Sequence, residues 1–271
     1  MNLNQLRSKD NFVLKLVRLV ASQARRAPQD LVLAEGVRCV EEAIGANRII
    51  EAVLCSEGFG IAEREAKLLD ALSHLNVRLY RTSERLLKSV SDVRSPQGVL
   101  ALVHAPAVSL KDCPTTPSPL ILCACGLQDP GNLGTLIRTA AAAGASLVCT
   151  MVGTVSPRNP KVVRASAGSF FRLPIIEHLD PSAFLSCCRA SSVTPILADA
   201  RGGRSYADVD YTRGCAILLG NEGRGMVNAE WADMESIRIP MAPGVESLNV
   251  ATAGALVLFE AFRQRCAGRG L

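Results

Sequence analysis

Residues 127–145, LQDPGNLGTLIRTAAAAGA, contain a turn rich in Gly and Asn that leads directly into a helix carrying one basic residue, Arg138. Asp, Pro, Gly and Asn at 129–132 favour a tight turn, and the free N–H groups at a helix N-terminus bind anions such as phosphate. Asn132 and Arg138 are therefore candidate site residues, although an N-capping Asn and a surface Arg explain the pattern equally well. The stretch lacks the signatures of a P-loop and of a dinucleotide fold.

A second candidate site follows an apolar strand in AILLGNEGRGM, residues 216–226. Three Gly within 220–225 allow the backbone to approach a ligand closely. Ligands of parallel α/β sheets bind at the carboxyl ends of strands. Gly220 and Glu222 are the candidate residues here, and we favour this interpretation over a flexible turn with exposed charges.

The third motif, IRIPMAPGVESLNVATAGALVLFEA at 237–261, joins the end of a strand to a helix predicted over 247–266. Ser247 and Asn249 lie near the start of this helix. Their side chains can cap the helix, or they can hold a phosphate or a ribose hydroxyl. The residues alone leave both roles open.

Strands and helices alternate on both sides of a Pro-rich segment, residues 105–119, which we interpret as a linker between two domains. Before it, an amphipathic helix over 10–24 and the segments that follow predict a compact α/β unit. After it, the pattern predicts a mostly parallel sheet covered on both faces. The strands predicted there are 120–126, 145–151, 174–179, 195–200, 215–220 and 236–241, and the helices are 131–143, 162–171, 182–190 and 247–266.

The composition permits a polyanionic partner without establishing one. The chain has 271 residues, of which 48% are hydrophobic and 20% charged, enough for two packed domains. The net charge of +5 is a mild bias, and aromatic residues, at 4%, leave few side chains that could stack on bases. The first 26 residues contain six basic residues and one acid, and we interpret them as an exposed basic helix rather than a transit peptide.

Cysteine usage points to a reducing compartment. The chain has ten Cys and three His but no Cys-x-x-Cys pair, so we expect no structural zinc or other metal site. Several Cys lie in apolar runs such as PLILCAC, which is typical of reduced core thiols. No apolar run approaches the roughly 20 residues of a membrane span. We therefore expect a cytoplasmic protein.

Together the three motifs resemble the SpoU/TrmH family of the SPOUT superfamily. The pattern N-x-G-x-x-x-R-T-A, then L-G-N-E-G-x-G, then I-P-M-x(5)-S-L-N-V occurs in that order and covers about 118–266. Upstream, LVLAEGVRCVEEAI and SPQGVLALV resemble an L30e-like substrate-binding domain. The resemblance implies an RNA substrate-binding domain over 1–104, a linker over 105–119 and a methyltransferase domain over 120–271.

This family consists of S-adenosylmethionine-dependent RNA 2'-O-ribose methyltransferases, so the resemblance implies S-adenosylmethionine as the cofactor. It also implies an α/β fold with a C-terminal trefoil knot, and a homodimer formed through the catalytic domain with an active site built from both subunits. By resemblance, Gly220 approaches the cofactor through its backbone, whereas Ile239, Met241 and Leu248 line its adenosine and methionine parts. The apolar character of these three fits that role or plain core.

The resemblance also assigns the residues that act on the RNA. Arg138 matches the family's essential Arg, which either activates the ribose hydroxyl or, because a guanidinium stays protonated, holds a phosphate and stabilises a developing alkoxide. Asn132 positions the nucleotide, and Glu222 orients Arg138 or an adjacent hydroxyl. Ser247 and Asn249 hold the target phosphate and ribose.

Ribosomal RNA is the favoured substrate, because the L30e-like domain is typical of rRNA-directed members. The N-terminal domain is not strongly basic overall, so its part in choosing the RNA follows from resemblance alone. The alternatives are a tRNA 2'-O-methyltransferase, or an RNA-binding assembly factor without activity. A nicotinamide-dependent enzyme is disfavoured because the dinucleotide fingerprint is absent.

Overall fold

The protein divides into two compact units in the computed structural model, which describes residues 4–75, 77–93, 95–105, 107–110, 116–220, 231 and 234–267. One unit comprises Met1–Pro106 and Arg158–Arg172, and the other comprises Ala107–Pro157 and Leu173–Leu271. The segment Arg158–Arg172 therefore clusters with the first unit, although it lies within the range predicted for the methyltransferase domain.

The first part of the chain alternates short strands with helices. Its elements are β1 (Asn4–Leu6), α1 (Phe12–Ala21), β2 (Leu31–Glu35), α2 (Val37–Gly45), β3 (Ile50–Ser56), α3 (Glu63–Ser73), β4 (Arg78–Thr82), α4 (Glu84–Lys88) and β5 (Val99–His104). The strands form one mixed sheet of order β1-β4-β3-β5-β2. Pairs β1–β4 and β4–β3 are parallel, whereas β3–β5 and β5–β2 are antiparallel.

The second part of the chain supplies a larger sheet. Its elements are β6 (Leu120–Ala124), α5 (Pro130–Ala142), β7 (Leu147–Met151), α6 (Pro160–Ala165), β8 (Ile175–Leu179), α7 (Pro181–Ala190), β9 (Thr194–Ala198), β10 (Arg204–Ser205), β11 (Cys215–Leu219), β12 (Glu235–Arg238) and α8 (Val250–Ala267). The strand order is β10-β12-β9-β11-β6-β7-β8, and every neighbouring pair is parallel. The prediction of an α/β fold with a mostly parallel sheet and a smaller N-terminal domain is confirmed, and the trefoil knot remains a prediction.

A buried ion pair holds the segment Arg158–Arg172 in the first unit. Nη1 of Arg164 donates to a carboxylate oxygen of Glu35 at 2.9 Å, and Ser91 donates to the other oxygen. The Glu35 side chain is only 4% exposed. A carboxylate removed from water in this way depends on such partners.

Backbone contacts reinforce this attachment. Nε and Nη2 of Arg48 donate to the carbonyl of Phe171 at 3.0 and 2.9 Å. Gly168 has a φ of +86°, and a Cβ there would lie 2.5 Å from Cβ of Glu42. Only glycine meets both constraints, so the chain turns here and approaches α2 closely.

Two predicted helices have other bounds in the structure, and two short strands were not predicted. The helix predicted over 162–171 ends at Ala165 and is followed by a separate 3-10 turn at Ser169–Phe171, because positive φ angles at Ala167 and Gly168 interrupt it. The final helix begins at Val250, not at residue 247. The short edge strands β1 and β10 were not predicted, since two or three residues carry too little periodicity. No helix in the described part of the chain is long and apolar enough to span a membrane.

Replacing Arg164 with Ala leaves the buried Glu35 carboxylate without its cationic partner. We expect the free energy of unfolding to fall by about 2–3 kcal/mol in urea titrations followed by circular dichroism. The matched control is Arg172→Ala, which breaks an ion pair to Glu42 whose arginine side chain is 59% exposed. That variant should lose less than about 1 kcal/mol. Equal losses in the two variants would contradict this assignment.

Candidate active site

The three sequence motifs follow β6, β11 and β12, whose carboxyl ends lie on one edge of the second sheet because all its neighbouring strands are parallel. In that sheet β11 lies next to β6, and β9 separates β11 from β12. The described segments 125–129 after β6 and 239–249 after β12, and Gly220 at the end of β11, therefore lie on the side where ligands of parallel sheets bind.

Hydrogen bonds hold the loop between β6 and α5 in place. The amide of Cys125 donates to the carbonyl of Leu219 at 2.8 Å, which extends the pairing of β6 with β11. The amide of Gly126 donates to Oγ1 of Thr154 at 2.9 Å, and that hydroxyl donates to the carbonyl of Ala124 at 3.0 Å. Sequence reasoning missed the buried Thr154, because a single Thr in a loop gives no signal of a partner 28 residues away.

Asp129, rather than Asn132, caps α5. Its Oδ1 accepts a 2.7 Å hydrogen bond from the backbone amide of Asn132, and Pro130 occupies the first helical position, where no amide hydrogen is needed. The alternative of an N-capping Asn132 is therefore wrong.

Asn249 joins the first motif to the third. Its Nδ2 donates to Oδ1 of Asn132 at 2.9 Å. Its Oδ1 accepts from the backbone amides of Ala251 and Thr252 at 3.0 and 3.2 Å, which caps α8. One amide side chain thus fixes the start of α8 and the side chain of Asn132 together. The capping role is confirmed for Asn249, and its binding of a phosphate or ribose hydroxyl stays a prediction.

Close packing of α8 against α5 and β11 keeps this pair in register. A Cβ added at Gly254 would lie 2.4 Å from Cδ2 of Leu136 and 2.5 Å from Cδ1 of Leu219. Larger residues would force α8 away. The sequence signal was a Gly inside an otherwise good helix pattern, which usually marks such an approach.

The predicted cofactor residues lie at the same edge and are partly accessible. Gly220 directly follows β11 and is half-buried, as are Ile239, Met241 and Leu248. The strand predicted over 236–241 ends at Arg238, so Ile239 and Met241 lie in the loop beyond the sheet rather than in its core.

The end of β12 is fixed by its last residue. Nη1 of Arg238 donates to the carbonyls of Gly202 and Gly203 at 2.8 Å each. A Cβ on Gly202 would lie 2.4 Å from the carbonyl carbon of Ile237. The loop that carries Ile239 therefore begins from an anchored point.

Other predicted site residues do not join the Asn132–Asn249 pair. Arg138 is exposed on α5, about 9 Å further along the helix axis than Asn132. It forms no hydrogen bond or ion pair with another residue that the structure describes. Ser247 is exposed two residues before Asn249. Glu222 lies outside the described residues.

Two buried thiols of this sheet, those of Cys123 and Cys215, have raised pKa values. Burial raises the pKa of Cys123 well above its usual value. Burial also raises the pKa of Cys215, an effect that Arg265 partly opposes. Within the described ranges, no group of three or more His, Cys, Asp or Glu could hold a metal ion.

Comparisons with known proteins match the chain along most of its length. The model of the SpoU rRNA Methylase family matches residues 119–259, and that of the MRM3-like substrate binding domain matches residues 11–101. The 23S rRNA (guanosine(2553)-2'-O)-methyltransferase RlmP of Bacillus subtilis is 30% identical over 259 residues, covering 95% of this chain and 98% of the relative.

Solved structures agree with these matches. The SpoU methyltransferase AviRb of Streptomyces viridochromogenes superposes with a TM-score of 0.84 at 27% identity, covering 96% of this chain and 100% of that chain. The AdoMet-bound rRNA methyltransferase of Sinorhizobium meliloti gives 0.83 at 27% identity, covering 96% and 98%. The resemblance predicted from the three motifs is confirmed: this chain belongs to the SpoU rRNA methylase family.

Proposed function

We propose that this protein uses S-adenosylmethionine to methylate a ribose 2'-hydroxyl in ribosomal RNA. The observation that carries the proposal is the hydrogen bond between Asn249 and Asn132, which joins two of the family's motifs at the ligand-binding edge of the sheet. We favour rRNA over tRNA because the B. subtilis relative, which this chain covers almost completely, is named a 23S rRNA methyltransferase. The polar residues of the motifs argue against an inactive assembly factor.

The residues at the sheet edge fit the cofactor. Gly220 offers backbone groups with no side chain to obstruct them. Ile239, Met241 and Leu248 offer apolar surface that is only half-buried, so a bound adenosine or methionine chain can cover it. When bound, S-adenosylmethionine supplies an electrophilic methyl group on a sulfonium. The S. meliloti relative, described as AdoMet-bound, supports this fit.

In this proposal Arg138 acts on the RNA. Because its guanidinium stays protonated, it holds a phosphate beside the target ribose and stabilises the negative charge that develops on the 2'-oxygen. Asn132, held by Asn249, positions the nucleotide, and Ser247 and Asn249 bind its phosphate and ribose. Such alignment of reacting groups can lower a barrier by about 7–11 kcal/mol in favourable cases. The role of Glu222 in orienting Arg138 stays a prediction.

We also propose a homodimer formed through α8. Leu256, Phe259 and Phe262 recur at a spacing of three along this helix and are exposed, and the rings of Phe259 and Phe262 lie 6.0 Å apart. Exposed apolar patches of this kind mark association surfaces. A dimer allows the exposed Arg138 to complete a site that takes residues from both subunits, as the family resemblance implies.

A trefoil knot and a cytoplasmic location complete the proposal. The order of the second sheet supports a knot, because β11 enters between β6 and β9 and β12 enters between β9 and β10, all of which precede them in the chain. The nine cysteines within the described ranges are free thiols, which supports a reducing compartment.

Arg138→Ala should abolish methyl transfer while leaving cofactor binding intact. Loss of a group that stabilises developing charge lowers kcat by about 100-fold or more. Transfer from labelled S-adenosylmethionine to rRNA measures turnover, and calorimetry measures cofactor affinity. Arg189→Ala, at another exposed helical position, is the matched control and should retain activity. Wild-type turnover in Arg138→Ala would contradict a catalytic role for Arg138.

Two substitutions of Asn249 separate capping from positioning. Asn249→Ala removes the cap of α8 and should lower the free energy of unfolding by about 1 kcal/mol. Asn249→Asp keeps a capping oxygen but replaces the donor to Asn132, so it should retain stability and lower kcat by about 10- to 100-fold. Urea titration and single-turnover transfer give the two readouts. Wild-type activity in Asn249→Asp would show that the amide bridge is dispensable.

The double variant F259S/F262S should be monomeric. It removes two apolar side chains from the proposed interface, so light scattering after gel filtration should give the 28.8 kDa mass of one chain rather than twice that value. Ile61→Ser changes an apolar residue in the first unit that is 88% exposed, and it should leave the dimer intact. An unchanged dimer in F259S/F262S would contradict an interface on this helix.

A further inference from the structure

Helices α1 and α4 cover the same face of the first sheet. Val13, Val17 and Leu87 from the helices share one apolar cluster with strand residues such as Leu33 and Leu102. No residue of α2 or α3 belongs to that cluster within the described part of the chain. Since successive strand residues point to opposite faces, α2 and α3 lie on the other side of the sheet.

The two faces differ sharply in charge. The helices α1 and α4 with the segments that flank them, residues 7–30 and 83–93, form what we call the basic face, which carries eight exposed or half-exposed cations and four exposed acids, Asp10, Asp30, Glu84 and Asp92. These cations are Arg7, Lys9, Lys15, Arg18, Arg25, Arg26, Arg85 and Lys88. By contrast, α2 and α3 together carry five acids and three bases. The mild net charge of the domain therefore averages a basic face with an acidic one.

Most of the cations on the basic face have no acidic partner. Among the described residues the face contains one ion pair, in which Nζ of Lys15 lies 3.7 Å from Oδ1 of Asp10. On the opposite helices the charges neutralise one another, since Arg64 pairs with Glu41 at 2.5 Å and Lys67 with Glu63 at 2.6 Å. Unpaired cations of one sign attract a polyanion.

An exposed aromatic ring lies among these cations. Phe12 begins α1 and is 71% exposed. Lys15 follows it by three residues and so lies on the same side of the helix, and Lys9 precedes it by three. A ring placed among cations can stack on an unpaired base while the cations hold the backbone.

A membrane surface fits this face less well. An interfacial helix needs an apolar side that is free to enter the bilayer. The apolar side of α1 is already buried against the first sheet through Val13, Leu14, Val17 and Val20. A partner with phosphates and unpaired bases matches the charge, the exposed ring and the buried apolar side together.

We propose that the basic face binds single-stranded phosphate backbone of the RNA substrate, with Phe12 stacked on an unpaired base. This inference rests on the proposed function, because it takes RNA as the substrate. It assigns the first unit a specific surface for RNA, on the side of the sheet opposite to α2 and α3.

Two double variants test whether the cations of the basic face bind RNA. R25Q/R26Q removes two cations from the basic face, and the control R38Q/K67Q removes one from α2 and one from α3. The probe is a fluorescent transcript of large-subunit rRNA, titrated at several KCl concentrations. R25Q/R26Q should bind about tenfold more weakly and reduce the slope of log Kd against log[KCl] by about 1.5–2. R38Q/K67Q should match the wild type. Equal Kd values and slopes in the two variants would overturn the proposal.

The stacking part is tested with Phe12→Ala against Ile61→Ala, both at exposed apolar positions. Phe12→Ala should weaken binding of a single-stranded oligoribonucleotide by about tenfold and leave binding of an RNA duplex unchanged. Ile61→Ala should change neither. Equal losses on both probes, or no loss, would overturn the role of Phe12.

Methyl transfer separates this proposal from the proposed function. R25Q/R26Q should raise KM for RNA and leave the affinity for S-adenosylmethionine unchanged. If the wild type binds RNA through the basic face but transfers no methyl group, the proposed RNA-binding surface is supported and the proposed methyltransferase function is contradicted. If the wild type transfers methyl groups and R25Q/R26Q has the wild-type KM for RNA, the proposed RNA-binding surface is contradicted and the methyltransferase function is supported. Charge-dependent binding to phosphatidylserine vesicles, with RNA affinity unaffected, would also overturn the surface.

Discussion

The candidate site depends on one close contact, that of α8 with α5 and the end of β11. Gly254 allows this contact because no side chain stands between the helix and Leu136. At this distance the cap of α8, Asn249, reaches Asn132 at the start of α5. Asn249 of the third motif is thereby hydrogen-bonded to Asn132 of the first motif, 117 positions earlier in the chain. Without the contact, Asn132 in α5 and Asn249 at the start of α8 would not meet.

A second constraint links the two units through the chain itself. The first unit is incomplete without the segment Arg158–Arg172, which is covalently continuous with β7 and β8 of the second sheet. The buried carboxylate of Glu35 needs Arg164 from this segment. Stability of the first unit therefore depends on residues whose neighbours in sequence belong to the second.

The sequence predicted the α/β fold class, and it singled out Asn132 and Asn249 as candidates, because turn formers, helix caps and apolar strands act locally. It did not predict that Asn249 caps α8 and bonds Asn132 at once, since that depends on tertiary packing at Gly254. The end of α6 at Ala165 was not predicted, because a helix can tolerate a single Gly such as Gly168. The close approach of Gly168 to Glu42 depends on tertiary packing and leaves no local signal in the sequence. The net charge of the N-terminal domain did not predict the basic face, because a net charge averages over the two surfaces that the sheet separates.

The chemical identity of the reaction product distinguishes ribose methylation from other reactions of S-adenosylmethionine with RNA. Ribosomal RNA and ribosomal subunits are incubated with the protein and labelled S-adenosylmethionine, and the RNA is digested to nucleosides for mass spectrometry. We expect label in a 2'-O-methylnucleoside, with the added mass on the ribose. Label on a base, or no incorporation into either naked rRNA or subunits, would contradict it.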